Sequence, residues 1–221
     1  MKFFRAALII LVILIAVKSF GKYTEQRIAQ KERQELLNSF ISDVSPKSDL
    51  LKDDTSHFNE QGNIISPANT KTVSSGIQKE LSIEKKEQTP VSNYIILGRI
   101  QIDKIQIDYP IIDTSTTDTL NLSITRFCGS EINSPGNCIL AGHNMKDGSL
   151  FGKLKELSVG DIAKIYDSTG RMKQYKITEC YVVEPTDLKP LNQETNGNKI
   201  ITLITCTNKG KQRLIVKAKA N

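Results

Sequence analysis

Hydrophobic residues fall along this chain in three textures. The first is an uninterrupted apolar run, Ala6 to Val17 (AALIILVILIAV), with Lys2 and Arg5 before it and Lys18 and Lys22 after it. A helix of that length spans about 18 Å, short of a hydrocarbon core of about 30 Å. Counting from Phe3 to Gly21, with Arg5 and Lys18 reaching toward the interfaces, restores the length. The run predicts a membrane anchor over residues 1–22. A cleavable signal peptide, with Ser19-Phe20-Gly21 as a weak cleavage site, is the alternative, and both export the rest of the chain. Basic flanks on both sides leave the positive-inside rule nearly silent on orientation.

The second texture is sparse. Over 23–44, Ile28, Leu36, Leu37, Phe40 and Ile41 form a partial stripe among Gln, Glu, Arg and Lys, which predicts a juxtamembrane helix continuing from the anchor as a stalk. Residues 45–92 are rich in Ser, Thr, Asp, Lys, Asn and Gln, with three prolines. Such a segment buries too little apolar surface to offset its ordering entropy, so a flexible linker is expected, with a short helix near 77–83.

The third texture begins at Tyr94. Residues 95–102 and 105–109 alternate with period two, and Pro110 interrupts the pattern before Ile111-Ile112. One or two helical turns are expected within 118–127, with Asp118 as N-cap. Strands are expected over 137–143, 162–166, 174–183, 200–206 and 212–219, a short amphipathic helix over 149–157, and a loop or short helix over 185–191. Many short strands with little helix between them predict a mainly β fold, a small closed barrel over 93–221, rather than a parallel α/β sheet. About 125 residues suffice for one modest core.

Composition narrows the partners. The net charge of +6 and pI near 9.0 allow contact with an anionic membrane or wall. Aromatic content of 6%, no Trp, and no basic-aromatic stripe or zinc-finger spacing argue against nucleic acid. The four cysteines, Cys128, Cys138, Cys180 and Cys206, include no CxxC pair, so neither a metal nor another cofactor is expected. Cys128 and Cys138 flank a hairpin and could pair in an exported protein. Buried free thiols are the plainer reading for Cys128, Cys138 and Cys180.

Strand parity sorts the candidate chemistry, because residues two apart share a face. Leu214, Val216 and Ala218 form one face of the last strand, and Arg213, Ile215 and Lys217 the other. Ile201, Leu203 and Thr205 oppose Thr202, Ile204 and Cys206. His143 shares a face with Ile139 and Ala141, away from Cys138. Cys206 comes last in its strand, where a thiol can be exposed at a rim. His57 falls in the linker, leaving His143 as the histidine of the C-terminal half. A thiol that must become a thiolate, an imidazole that moves protons and a guanidinium that steadies a carbonyl oxygen suit attack on a peptide carbonyl. Each also has a plain alternative: a packed thiol, a structural histidine, a solvated strand arginine. Spacing alone does not choose between them.

Thr202-Leu203-Ile204-Thr205-Cys206 resembles the TLxTC motif of the sortase family, the cysteine transpeptidases of Gram-positive cell surfaces. Leu140-Ala141-Gly142-His143 is similar to the family's strand-end AGH, and Arg213-Leu214-Ile215-Val216 to its RLIV strand. Phe151-Gly152-Lys153-Leu154 with Leu157 and Gly160-Asp161, and the stretch Gly98 to Pro110, also fit. The resemblance implies an eight-stranded sortase barrel with a groove on its outer surface. Cys206 would attack the Thr–Gly bond of an LPxTG-like sorting signal and form a thioester. His143 would be the general acid/base, Arg213 would steady the substrate or oxyanion, and Thr205, Asn144 and Ile204 would line the site. An amine from a cell-wall precursor or a pilin would release the product. The catalytic domain would lie outside the cell membrane on a single-pass anchor. Asn144 after the histidine resembles class B, but the short connection Glu184 to Asn198 leaves no room for that class's long helical insertion. No C-terminal span and no lid motif point to class C. The short Cys206–Arg213 connection fits a class D-like enzyme, or a compact class A-like one. For calcium, Glu131 and Asp113 make no clear carboxylate cluster. Two rivals remain: a thiol peptidase or hydrolase that resolves the thioester with water, and a non-catalytic membrane-anchored surface binding module with Cys206 merely buried.

Overall fold

The period-two alternation after Tyr94 becomes a strand ladder in the computed structural model, which describes residues 2–49 and 94–221. Strand β1 (Ile96–Ile102) turns through a 3-10 turn into β2 (Ile107–Ile112), and the two pair antiparallel. Six more strands follow: β3 (Ile124–Gly129), β4 (Gly136–Ala141), β5 (Ile162–Asp167), β6 (Met172–Val183), β7 (Lys199–Thr207) and β8 (Gln212–Ala220). They close a barrel in the order β1-β2-β3-β4-β7-β8-β6-β5, with β5 returning to β1. Closure leaves no open sheet edge. The expected closed, mainly β barrel is therefore present. Two of its seams, β2–β3 and β4–β7, are parallel.

Parity sorts the side chains as the alternation predicts. Cys138, Leu140, Ile201, Leu203, Val216 and Ala218 point into the main core, with Tyr175 and Phe151 its largest fully buried side chains. Ala141, Ile204 and Ile215 face outward, onto a groove. Asn137 is buried at 1% exposure and knits the outer layer together. Its amide donates to the carbonyls of Pro190 and Asn192, both at 3.0 Å, and its Oδ1 accepts the Thr202 hydroxyl at 2.7 Å.

Two local expectations are corrected. Helix α2 (Thr117–Leu122) is capped by Thr116, not Asp118, through a reciprocal box with Thr119. The helical turns expected within 118–127 are those of α2, and the segment beyond it is β3: β-branched Ile124 and Thr125 pair with Ile111 and Ile112. The helix expected over 149–157 shrinks to a 3-10 turn, Leu154–Glu156. Leu150 sits at φ 52° and bridges to Asn144, which stops a helix from running through it.

Helix α1 (Lys2–Asp49) extends past Val44. Its second half packs on the barrel. Leu36 is 1% exposed in a cluster with Ile112 and Leu122, and Leu37 and Phe40 are also buried, while Ile28 and Ile41 stay exposed. The side chains of the apolar run 6–17 lie outside the described residues, and among the described residues no helix is long and apolar enough to cross a membrane. Residues 50–93, which carry most of the expected linker, its short helix and His57, also lie outside the described residues.

Two stability tests follow from these contacts. Asn137→Ala strands the Thr202 hydroxyl and two loop carbonyls, so it should cost about 1–3 kcal/mol in urea denaturation. Asp167, at the β5–β6 turn, accepts bonds from the Thr169 hydroxyl at 2.6 Å and from the Thr169 and Arg171 amides at 3.0 and 3.1 Å. Burial acts to raise its pKa, but these bonds and the Arg171 charge outweigh it and hold the carboxyl below its ordinary value. A depressed folded pKa contributes stability above the ordinary aspartate value of about 4, and that stability is lost as pH falls through the lower folded value. Asp167→Asn should therefore be less stable than the parent at neutral pH. The gap should close as urea melts are repeated toward pH 3.

Candidate active site

Parallel pairing of β4 and β7 carries both strands to the same rim of the barrel. Their register runs Ile139↔Thr202, Leu140↔Leu203 and Ala141↔Ile204. It is clamped just past the strand end, where the Gly142 amide donates to the Ile204 carbonyl at 3.2 Å and the Thr205 hydroxyl donates to the Gly142 carbonyl at 2.7 Å. His143 is the next residue on one side and Cys206 the next on the other. Antiparallel β8 then places Arg213 directly across from Cys206. All three residues are half-buried and line one groove of about 400 Å³ on the outside of the barrel.

Ala141, Ile204 and Ile215 form the groove's apolar floor. Leu120 of α2 and Phe127 of β3 make one wall, and Val183, Pro185, Leu188 and Leu191 make another. Arg213 spends Nη1 on the carbonyls of Gly210 and Gln212, at 2.8 and 3.1 Å. Its Nε and Nη2 make no hydrogen bond among the described residues, which leaves donors for a ligand oxygen.

Ile204, His143, Cys206 and Arg213 are thus brought together. Thr205 also borders the groove, but it is 3% exposed and its hydroxyl is committed to Gly142, so it acts as a clamp. Asn144 does not line the groove; its side-chain amide donates to the Cys206 carbonyl at 2.8 Å and so ties the histidine loop to the cysteine strand. The walls were missed in the sequence. Their signal was the set of large apolar residues left in polar surroundings, with Phe127 at 53% and Leu188 at 70% exposure.

All four cysteines are free. Cys138 lies opposite Gly129, while Cys128 lies opposite Ile139 on the outer face, so the possible Cys128–Cys138 disulfide is not formed. Burial pushes the Cys138 thiol up to about 12 and also raises those of Cys128 and Cys180. No cluster of His, Cys, Asp or Glu suited to a metal occurs among the described residues, and Asp113 is engaged by Arg126 at 3.0 Å. What the groove offers is a thiol, an imidazole and a guanidinium on an apolar floor, the groups that addition to a carbonyl needs.

Residues 100–221 match the sortase domain model. The chain belongs to the sortase family. It is 32% identical to sortase A of Bacillus anthracis over 126 residues, 57% of this chain and 55% of that protein. It is 29% identical to sortase A of Staphylococcus aureus over 140 residues, 62% of this chain and 67% of that one. The match thus spans about half the length of the first of these curated relatives. Among solved structures, the chain is similar to a Clostridium perfringens sortase D5 transpeptidase, with 37% identity and a TM-score of 0.53, covering 57% of this chain and 79% of that one. It is also similar to sortase A from Corynebacterium diphtheriae, with 26% identity and a TM-score of 0.54, covering 59% and 62%.

Thiol accessibility checks this placement. In the folded protein, a small alkylating reagent near neutral pH should modify half-buried Cys206, as it does exposed Cys180, and leave Cys138 unmodified until the barrel is unfolded. Peptide mass spectrometry over a time course reads the order; Cys206 reacting no faster than Cys138 would contradict the rim placement.

Proposed function

We propose that this sortase is a cysteine transpeptidase acting on LPxTG-like sorting signals of surface proteins. The observation that carries the reading is the convergence of His143, Cys206 and Arg213 on one outer groove. Cys206, as thiolate, adds to the carbonyl of the Thr–Gly bond. Arg213 donates to the oxygen as it becomes anionic. His143 delivers a proton to the departing glycine amine, leaving an acyl thioester on Cys206. An amine, from a cell-wall precursor or a pilin, then attacks the thioester with His143 as base, and the thiolate leaves. The apolar floor formed by Ile204 and Ile215 suits an extended peptide that enters with few charges.

The class D-like assignment is supported by the short turn Asn208–Gly210 between β7 and β8, by a β6–β7 connection that holds only a 3-10 turn, and by the 37% identity to the sortase D5. Residues 1–22 are proposed as a single-pass membrane anchor, on the strength of the apolar run 6–17, with the barrel on the outer side of a Gram-positive membrane.

Fluorogenic LPxTG-type peptides, offered to the full chain in detergent with and without oligoglycine or diaminopimelate amines, test the reading. Cleavage at Thr–Gly is expected, with a ligated product when amine is present. Cys206→Ala and His143→Ala should abolish it, and Arg213→Ala should lower kcat/KM roughly 10²-fold, the scale of losing an oxyanion donor. Wild-type turnover by Cys206→Ala would rule the mechanism out. Release that is insensitive to every amine would favour the hydrolase.

A further inference from the structure

A continuous path of contacts leads from α1 to the rim of the groove. Arg33, on the barrel side of α1, is 8% exposed. Its Nε donates at 2.6 Å to the carbonyl of Leu122, the last residue of α2. Its guanidinium lies 4.8 Å over the ring of Tyr109 on β2. A buried arginine needs such partners, and here a carbonyl and an aromatic face supply them. Asp147, in the loop after β4, adds an attraction: bonds from Ser149 first, and the Arg33 charge after burial is offset, hold its carboxyl below the ordinary value.

The path continues through Tyr109. Its phenol oxygen accepts the Leu150 amide at 3.2 Å. Leu150 is the residue held at φ 52°, a conformation that leucine keeps only when its surroundings impose it. Leu150 bridges to Asn144, and the following amide, of Phe151, donates to the His143 carbonyl at 3.0 Å. Asn144 in turn holds the Cys206 carbonyl. On the other branch, Leu122 is two residues beyond Leu120, part of the groove wall.

We infer that Arg33 and Tyr109 are positioning residues for the reaction: Arg33 holds the ring of Tyr109, which through the Leu150 amide sets the loop that carries His143 and Asn144 against the end of β7, while the Leu122 carbonyl fixes the α2 wall of the groove. Helix α1 is then part of the active centre although none of its described residues lines the groove. The inference rests on the proposed roles of Cys206 and His143. It differs from simple docking, which would stabilise the barrel without altering the alignment of imidazole and thiol.

The full chain in detergent is compared with Arg33→Ala, Arg33→Lys, Tyr109→Phe and the Arg33→Ala/Tyr109→Phe double variant. Each is measured for kcat and KM on the sorting-signal peptide, and for the pH profile of Cys206 alkylation by iodoacetamide. Tyr109→Phe and Arg33→Ala should each lower kcat roughly tenfold, the scale of one neutral hydrogen bond, with KM nearly unchanged. Both should displace the alkylation profile, and Arg33→Lys should recover part of the loss. The double variant should fall short of the product of the two singles, because both act along one path. Folded variants with wild-type kcat and an unmoved profile would overturn the inference, as would a loss confined to KM. If the wild-type chain cleaves no such peptide, the sortase reading fails separately, and the alkylation profile alone decides this one. If Arg33→Ala does not fold, Tyr109→Phe, which removes a single oxygen, decides it.

Discussion

The parallel seam between β4 and β7 is the constraint on which the groove depends. Two neighbouring strands running the same way end at the same rim, so residues 143 and 206 meet although the whole of β5 and β6 lies between them in sequence. Had the seam been antiparallel, the two ends would stand a strand apart, about 20 Å for six residues. A parallel seam requires a long crossover, and here the crossover supplies the β5 and β6 strands that close the barrel. The short turn into β8 then adds Arg213 to the same rim. Closure and convergence are two results of one topology.

Much of this was legible in the chain because strand parity is a strict signal. A residue's face follows from its position, and the faces assigned to Cys206, His143, Arg213 and Ile215 are those found. Cys138 and Cys206 were separable for the same reason: Cys138 lies on the core face, where burial opposes its ionisation, and Cys206 lies on the groove face. What parity could not supply was pairing. Nothing local says that β4 lies beside β7, nor that Ile124 and Thr125 find Ile111 and Ile112. The amphipathic pattern around Leu150 and Leu154 is helical in period, yet the Asn144 bridge and the buried position of Phe151 override it. Long-range contacts decided against local preference at these places.

The floor and the walls of the groove differ in how they are held. The floor is strand, tied by ladder bonds on both sides. The wall from the β6–β7 connection hangs on buried Asn137, whose amide reaches Pro190 and Asn192 while its oxygen engages Thr202 within β7. One side chain thus fastens a loop to the strand that ends in Cys206. Thr205 and Asn144 perform the same service for the histidine side. Polar residues beside the groove are spent on bracing, and the surface offered to a peptide is mostly apolar.

Helix α1 is unbroken from Lys2 to Asp49, and that continuity has a geometric consequence. An α-helix advances about 1.5 Å and turns about 100° with each residue. Were residues 1–22 the anchor proposed above, the count of residues from Lys18 to Arg33 would set the height of the barrel above the bilayer and the compass bearing of the groove around the helix axis. The helix would then act as a mast with a set azimuth, and the direction from which a tethered chain approaches Cys206 would be written into its length.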